Sequence, residues 1–144
     1  MRLWHYKLLP YLPDAQFQGQ LRELVAIMHD WRDKGQTNHL LINRVMDYPK
    51  VHLYSYFVIY AAEYANRNGG KLPKCSDEFQ VFRSVLEPLE RPYPGWHNKE
   101  YLRVCMANLY EKHVFGKGKS RITEAEWNKL LDGYFYLTGE PYEI

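Results

Sequence analysis

The sequence predicts an all-α fold, compact and single-domain over residues 1–144. Three observations carry this. Apolar residues recur at helical spacing over several long stretches. Breakers such as Gly69-Gly70 and the prolines at 88, 92 and 94 fall between those stretches. Neither strand–helix–strand alternation nor an internal repeat occurs, so helices packed on helices are the remaining architecture.

The elements follow in order. After an N-terminal arm over residues 1–13, the stretch DAQFQGQLRELVAIMHDW from Asp14 to Trp31 reads as the first helix. Phe17, Leu21, Leu24, Val25, Met28 and Trp31 form its inner stripe. Asp14, directly after Pro13, is placed to cap it. Gly35-Gln36 breaks the pattern. Asn38 to Tyr48 is a short helix ended by Pro49. His52 to Asn68, aromatic and apolar on most sides, is the buried central helix, stopped by Gly69-Gly70. Ser76-Asp77-Glu78 starts another helix with Phe79, Phe82, Val85 and Leu86 inward. The prolines exclude regular structure across PLERPYPGWHN. Asn98 to His113 places Leu102, Cys105, Met106 and Leu109 on one face. Residues 112–121 then form a basic loop, and Thr123 with Glu126 makes a capping box for a last helix carrying Trp127, Leu130, Leu131 and Tyr134 inward.

Within the first helix one side chain stands out. At roughly 100° per residue, Glu23 lies about 120° from the centre of the apolar stripe. Its neighbours one turn away are Gly19 and Ala26, with Ala15 a further turn back. A carboxylate in a groove of small side chains is open to approach, and Arg22 lies beside it. An exposed Arg–Glu pair on an amphipathic helix is also what an ordinary solvated face looks like. The pattern alone leaves both readings standing.

Composition excludes several classes. With 46% hydrophobic and 25% charged residues over 144 positions, the chain is an ordinary globular protein able to bury a core without staples. Cys75 and Cys105 are too few and too far apart for a disulfide framework or zinc site, which points to reduced, buried thiols in the cytoplasm. Prolines interrupt MRLWHYKLLPYLP, so it is not read as a signal peptide, and no stretch approaches a membrane span. There is no GxGxxG and no GxxxxGK[ST], so no nucleotide cofactor is expected. No HExxH, CxxC or GxSxG occurs and the six histidines are scattered, so neither a metal nor a hydrolase triad is predicted. His52, opening an apolar helix, reads as a hydrogen-bonded core histidine. The aromatics of 88–101 read as packing residues, with base stacking as the alternative.

The net charge of +2 does not mark a nucleic-acid binder, but its distribution is uneven. Residues 1–13 hold Arg2, His5 and Lys7 and no acid. The run KHVFGKGKSR holds Lys112, His113, Lys117, Lys119 and Arg121, again without an acid. Gly116 and Gly118 make it a loop able to bring backbone N–H groups and cations close to phosphate. A solvated basic loop is the plainer reading of that run taken alone.

MRLW, LPDAQFQGQLREL with Arg22-Glu23-Leu24, and NHLLINRVMDYPKVHLYSYFVIYAAEYANRNGG together resemble the pyrimidine-dimer DNA glycosylase family, the endonuclease V of phage type. The resemblance covers about the first 70 residues well and the remainder loosely. It implies a compact helical base-excision enzyme in which the chain's own α-amine attacks the anomeric carbon and expels the damaged base. The resulting imine then permits strand cleavage by β-elimination. On this resemblance Glu23 falls on the family's essential glutamate and Arg22 on the arginine before it. Three positions depart from the best-known member. Arg2 stands where that enzyme exposes a threonine, Ala26 replaces a phosphate-binding arginine, and Gln16 replaces a histidine. Met1 is then the nucleophile, or Arg2 once Met1 is removed.

Elementary chemistry favours such a nucleophile independently. An α-amine titrates near 7.7–8.0, about two units below lysine, so near neutral pH a substantial fraction is unprotonated. Arg2 and Arg22 disfavour its protonated form further. Glu23 can stabilise the cationic sugar as the base leaves, then move the proton removed during elimination. The expected partner is double-stranded damaged DNA, contacted by Arg2, Gln16, Lys112, Lys117, Lys119 and Arg121, with a lesion nucleotide flipped or the duplex kinked. The protein is expected to act as a monomer, cytoplasmic and nucleoid-associated. The rival readings are a non-catalytic DNA-binding module on the same scaffold and a helical protein-interaction domain.

Overall fold

The computed structural model describes residues 2–35, 40–83 and 87–144, and every regular element among them is helical. The chain starts extended and turns into a 3-10 helix at Tyr6–Tyr11. Five α-helices follow: α1 Asp14–Lys34, α2 Leu40–Met46, α3 Lys50–Arg67, α4 Lys99–Val114 and α5 Glu124–Thr138. Two further 3-10 helices, Lys74–Phe82 and Gly118–Ser120, lie between them.

The arm is the inside of the molecule. Leu3, Trp4, His5, Tyr6, Leu8, Leu9 and Leu12 are all buried, and Tyr6–Tyr11 packs against both α3 and α5. The α5 contact depends on Gly133, because a Cβ there would stand 2.5 Å from the Tyr11 ring. The Lys74–Phe82 segment packs on α3, where the Phe57 and Phe79 rings stack 3.9 Å apart.

Helix α1 differs from expectation at its start and along its inner face. Its N-cap is Pro13, with no side-chain cap bond. Asp14 instead pairs with the Arg67 guanidinium at 3.0 Å. That guanidinium also donates to the Leu12 carbonyl at 2.8 Å and lies 4.1 Å above the Phe17 ring. A charge-assisted bond to a braced cation outcompetes the cap. The buried face comprises Gln16, Phe17, Gln20, Leu24, Ile27 and Met28, while Leu21, Val25 and Trp31 are only partly covered. The stripe is rotated toward two glutamine amides whose Nε2 groups find main-chain acceptors inside, Ser120 for Gln16 and Arg2 for Gln20.

The central helix α3 buries Leu53, Tyr54, Ser55, Tyr56, Phe57, Tyr60 and Ala61, and ends where Gly70 N–H bonds the Ala65 carbonyl at 2.8 Å. The helix expected from Ser76 is a 3-10 helix beginning at Lys74. Its three-residue period puts Phe79 and Phe82 on the same side, and both are buried. Val85, Leu86, Asn38 and His39 lie outside the described residues. In 87–98 no helix forms, and Tyr93 adopts a left-handed φ of 56°, rare for an aromatic residue. Its N–H donates to His52 Nδ1 at 2.9 Å, and its ring packs edge-on to Tyr48. His52 is hydrogen-bonded as expected but half-buried, at the edge of the core instead of within it. Asn98 caps α4 through Tyr101 N–H, and α4 buries Leu102, Cys105, Met106 and Leu109. The Thr123–Glu126 capping box is complete in both directions. Both cysteines are free thiols, Cys105 buried and Cys75 partly so. No described helix is long and apolar enough to cross a membrane.

Candidate functional site: a carboxylate cleft at the start of the chain

Residues Ala15, Gly19 and Glu23 recur every fourth position on α1, and their small members open a groove beside the half-buried carboxylate. The start of the chain enters that groove. The Arg2 main-chain nitrogen donates to Glu23 Oε2 at 2.6 Å, a short charge-assisted bond. Around this contact lies a cleft of about 240 Å³, lined by Arg2, Trp4, Ala15, Gln16, Gly19, Glu23, Lys112 and Ser120.

Cations surround the carboxylate. The Arg2 guanidinium lies 4.9 Å over the Trp4 ring, which fixes its side chain against a buried platform. Arg22 is exposed, and its Nη2 passes over Gly19, 3.6 Å from where a Cβ would stand. Lys112 enters from the last turn of α4. A second cavity of about 340 Å³ shares Arg2, Lys112 and Ser120 with the first and adds Asn108, Glu111, Phe115 and Gly116. The two adjoin through Arg2 and Lys112, with the Glu23 carboxylate in one lining and Glu111 in the other.

The far wall is the basic run, which is more ordered than a glycine-rich loop suggests. Lys112 to Val114 belong to α4, and Gly118–Ser120 forms the 3-10 turn. The run closes on itself through the Lys112 carbonyl, which accepts from Gly116 N–H at 3.1 Å and Ile122 N–H at 3.3 Å. His113 Nδ1 lies 2.8 Å from the Ile122 carbonyl oxygen. Gln16 Nε2 donates to the Ser120 carbonyl at 2.8 Å, so the turn is fastened to α1. Gly116 permits this crossing, since a Cβ there would run into the Lys112 carbonyl oxygen. Gly116→Ala is therefore expected to cost about 2 kcal/mol. It should also displace Lys112 and Ser120 from the cleft, and a thermal melt alongside duplex binding checks both effects.

Of the residues singled out in the sequence, the fold brings Arg2, Gln16, Glu23 and Lys112 into one cleft. Arg22 lies beside it over Gly19. Lys117, Lys119 and Arg121 are exposed on the adjoining run and do not line the cleft. Met1 lies outside the described residues. Sequence reasoning missed Trp4, Ser120 and the buried Gln20. A signal for Gln20 existed, because Gln16 and Gln20 are one turn apart and flank Phe17 on the apolar side. No three His, Cys, Asp or Glu side chains gather into a metal-holding group among the described residues.

A family model described as pyrimidine dimer DNA glycosylase matches residues 1–77. No curated protein and no solved structure matches the chain. The matched stretch contains the arm, all of α1 and Glu23, and it spans more than half of the 144 residues. The chain belongs to the pyrimidine dimer DNA glycosylase family, a family of DNA-repair enzymes.

Proposed function

We propose that the protein excises the damaged base of a pyrimidine dimer or related lesion through its N-terminal amine and then breaks the strand as an abasic-site lyase. The observation that carries this reading is the 2.6 Å contact between the Arg2 nitrogen and Glu23. The amine lone pair attacks the anomeric carbon, and the bond to the base breaks with its electron pair leaving on the base. The nitrogen lone pair then breaks the bond from the anomeric carbon to the ring oxygen, which takes up the proton the amine gives, and an imine results. Glu23 takes a proton from the neighbouring sugar carbon, and the electrons of that C–H bond expel the 3′ phosphate. A carboxylate beside the amine serves both steps, first against the cationic sugar and then as base. With Met1 removed, the amine is the Arg2 nitrogen itself. With Met1 retained, the amine is that of the residue before Arg2. Arg2, Arg22 and Lys112 hold phosphates near the cleft, Lys117, Lys119 and Arg121 hold them along the basic run, and Gln16 keeps that run on α1.

Borohydride trapping on an abasic-site duplex tests this. Untagged protein should give a covalent adduct that maps to the N-terminal peptide, and acetylating the N-terminus should remove the adduct. Binding without an adduct identifies a non-catalytic DNA-binding module instead. If about five cations meet phosphates, affinity should fall roughly 10²- to 10³-fold between about 50 and about 200 mM salt. An interaction domain with no DNA role would show neither adduct nor salt-dependent binding.

A further inference from the structure

The first residues meet Glu23 in a conformation that no element of their own imposes. Arg2 to His5 belongs to neither helix nor strand, yet Leu3, Trp4 and His5 are buried. Buried main-chain groups need partners, and here side chains from three helices supply them. Gln20 of α1 supplies two. Its Nε2 donates to the Arg2 carbonyl at 2.9 Å and its Oε1 accepts from Trp4 N–H at 2.7 Å. Tyr56 of α3 donates to the Trp4 carbonyl at 2.6 Å, with its hydroxyl 3.2 Å from Gln20 Oε1. Tyr101 of α4 donates to the Leu3 carbonyl at 2.6 Å.

A carboxamide gripping a C=O and an N–H two residues apart acts on the chain as the edge of a neighbouring strand would. It reads backbone and not side chain, so it fixes register. A slip by one residue would turn the wrong main-chain groups toward the amide. Gln20 is 1% exposed on the inner face of α1, a position that an apolar residue would fill without needing partners.

We propose that Gln20 is a positioning residue for the excision step, a two-point clamp that sets the register of residues 2–4 so that the beginning of the chain meets Glu23. This rests on the amine reading above. The clamp acts through main-chain groups of Arg2 and Trp4, one residue on either side of Leu3, and Gln20 does not itself line the cleft. Losing it lets the start of the chain drift while leaving Arg22, Lys112 and the basic run, which it does not touch, in place. A displacement of about 1 Å at reacting atoms costs on the order of 10²-fold in rate.

The experiment compares Gln20→Met, Gln20→Glu and Tyr56→Phe with wild-type protein by thermal melt, abasic-duplex Kd and single-turnover borohydride trapping. Gln20→Met should slow trapping about 10²-fold with Kd nearly unchanged, the signature of lost positioning and not of lost binding. Gln20→Glu keeps the acceptor for Trp4 N–H, and Tyr56→Phe keeps both Gln20 bonds to the main chain, so each should fall between wild type and Gln20→Met. Wild-type trapping by a folded Gln20→Met protein overturns the proposal, as does a rate loss matched by an equal loss of affinity. Should Gln20→Met fail to fold, the same two criteria applied to Gln20→Glu and Tyr56→Phe decide. Absence of any adduct with wild-type protein overturns the amine reading, and this proposal with it, before a variant is made.

Discussion

Glu23→Gln is expected to slow adduct formation and strand cleavage on an abasic duplex by about 10²- to 10³-fold, the usual loss when a positioned charge or general base is removed. The substitution keeps the side chain's length and leaves an amide oxygen to accept the Arg2 N–H now bonded at 2.6 Å. The arm should therefore stay docked and the melting temperature should move little. Duplex affinity should hold or rise, because one negative charge leaves a cleft otherwise lined by Arg2 and Lys112. The decisive readout is the single-turnover rate beside Kd. A variant cleaving as fast as wild type would remove the acid from the chemistry and reduce it to an anchor for the chain.

The second large effect is acid destabilisation from a pair of buried histidines behind the arm. The His5 and His97 rings lie 5.2 Å apart, and both are almost wholly buried. Burial drives the His97 pKa down to about 2, helped by the neighbouring His5 and Arg44. Burial, then the Lys7 charge, lowers His5 to about 4, against the opposing pull of its bonds to the His97 and Asn98 backbone. Each ring accepts a main-chain N–H on Nδ1, from Tyr6 at 3.2 Å for His97 and from Lys7 at 3.1 Å for His5. Protonation would take both acceptors away. The sign follows from comparing the two states. Below the ordinary histidine value near 6.5, the unfolded chain takes up protons that the folded protein refuses. Stability is therefore complete above about pH 7 and falls through the interval down to about 4 for His5, and further for His97. At about 1.4 kcal/mol per pH unit for each group, the loss reaches about 4 kcal/mol by about pH 5. That lowers the melting temperature by roughly 10 °C for a chain of this size. A melt series over this range checks it, and a flat profile would contradict the buried-neutral state of the pair. Because Tyr6 hangs on His97, acid should loosen the segment that presents Arg2 to Glu23 before the outer helices give way.

Local signals made the second half of the fold legible. The apolar spacing from Asn98 to His113 and the Thr123–Glu126 box announce α4 and α5, and the box forms as read, while Asn98 proves to cap α4. Ala15, Gly19 and Glu23 needed only the helical period to be placed on one groove. What stayed hidden depends on partners distant in sequence. The inner face of α1 turns toward Gln20 because the arm supplies main-chain partners 16 and 18 residues away. Tyr56 and Tyr101 reach the arm across 52 and 98 residues. Asp14 leaves its capping position for an arginine 53 residues on. Polar side chains inside a core are the least readable feature of a single sequence, since hydropathy assigns them to solvent and only the folded chain shows what satisfies them.

The contact between Tyr11 and Gly133 has a consequence for recombining this protein with its relatives. The family match ends at residue 77, yet the front half is completed by Gly133 under the Tyr11 ring, by Tyr101 on Leu3 and by His97 on Tyr6. A chimera that grafts a foreign rear half onto this front half has to carry a glycine, a phenol and an imidazole at those three places. These positions travel with the leading segment as its complement.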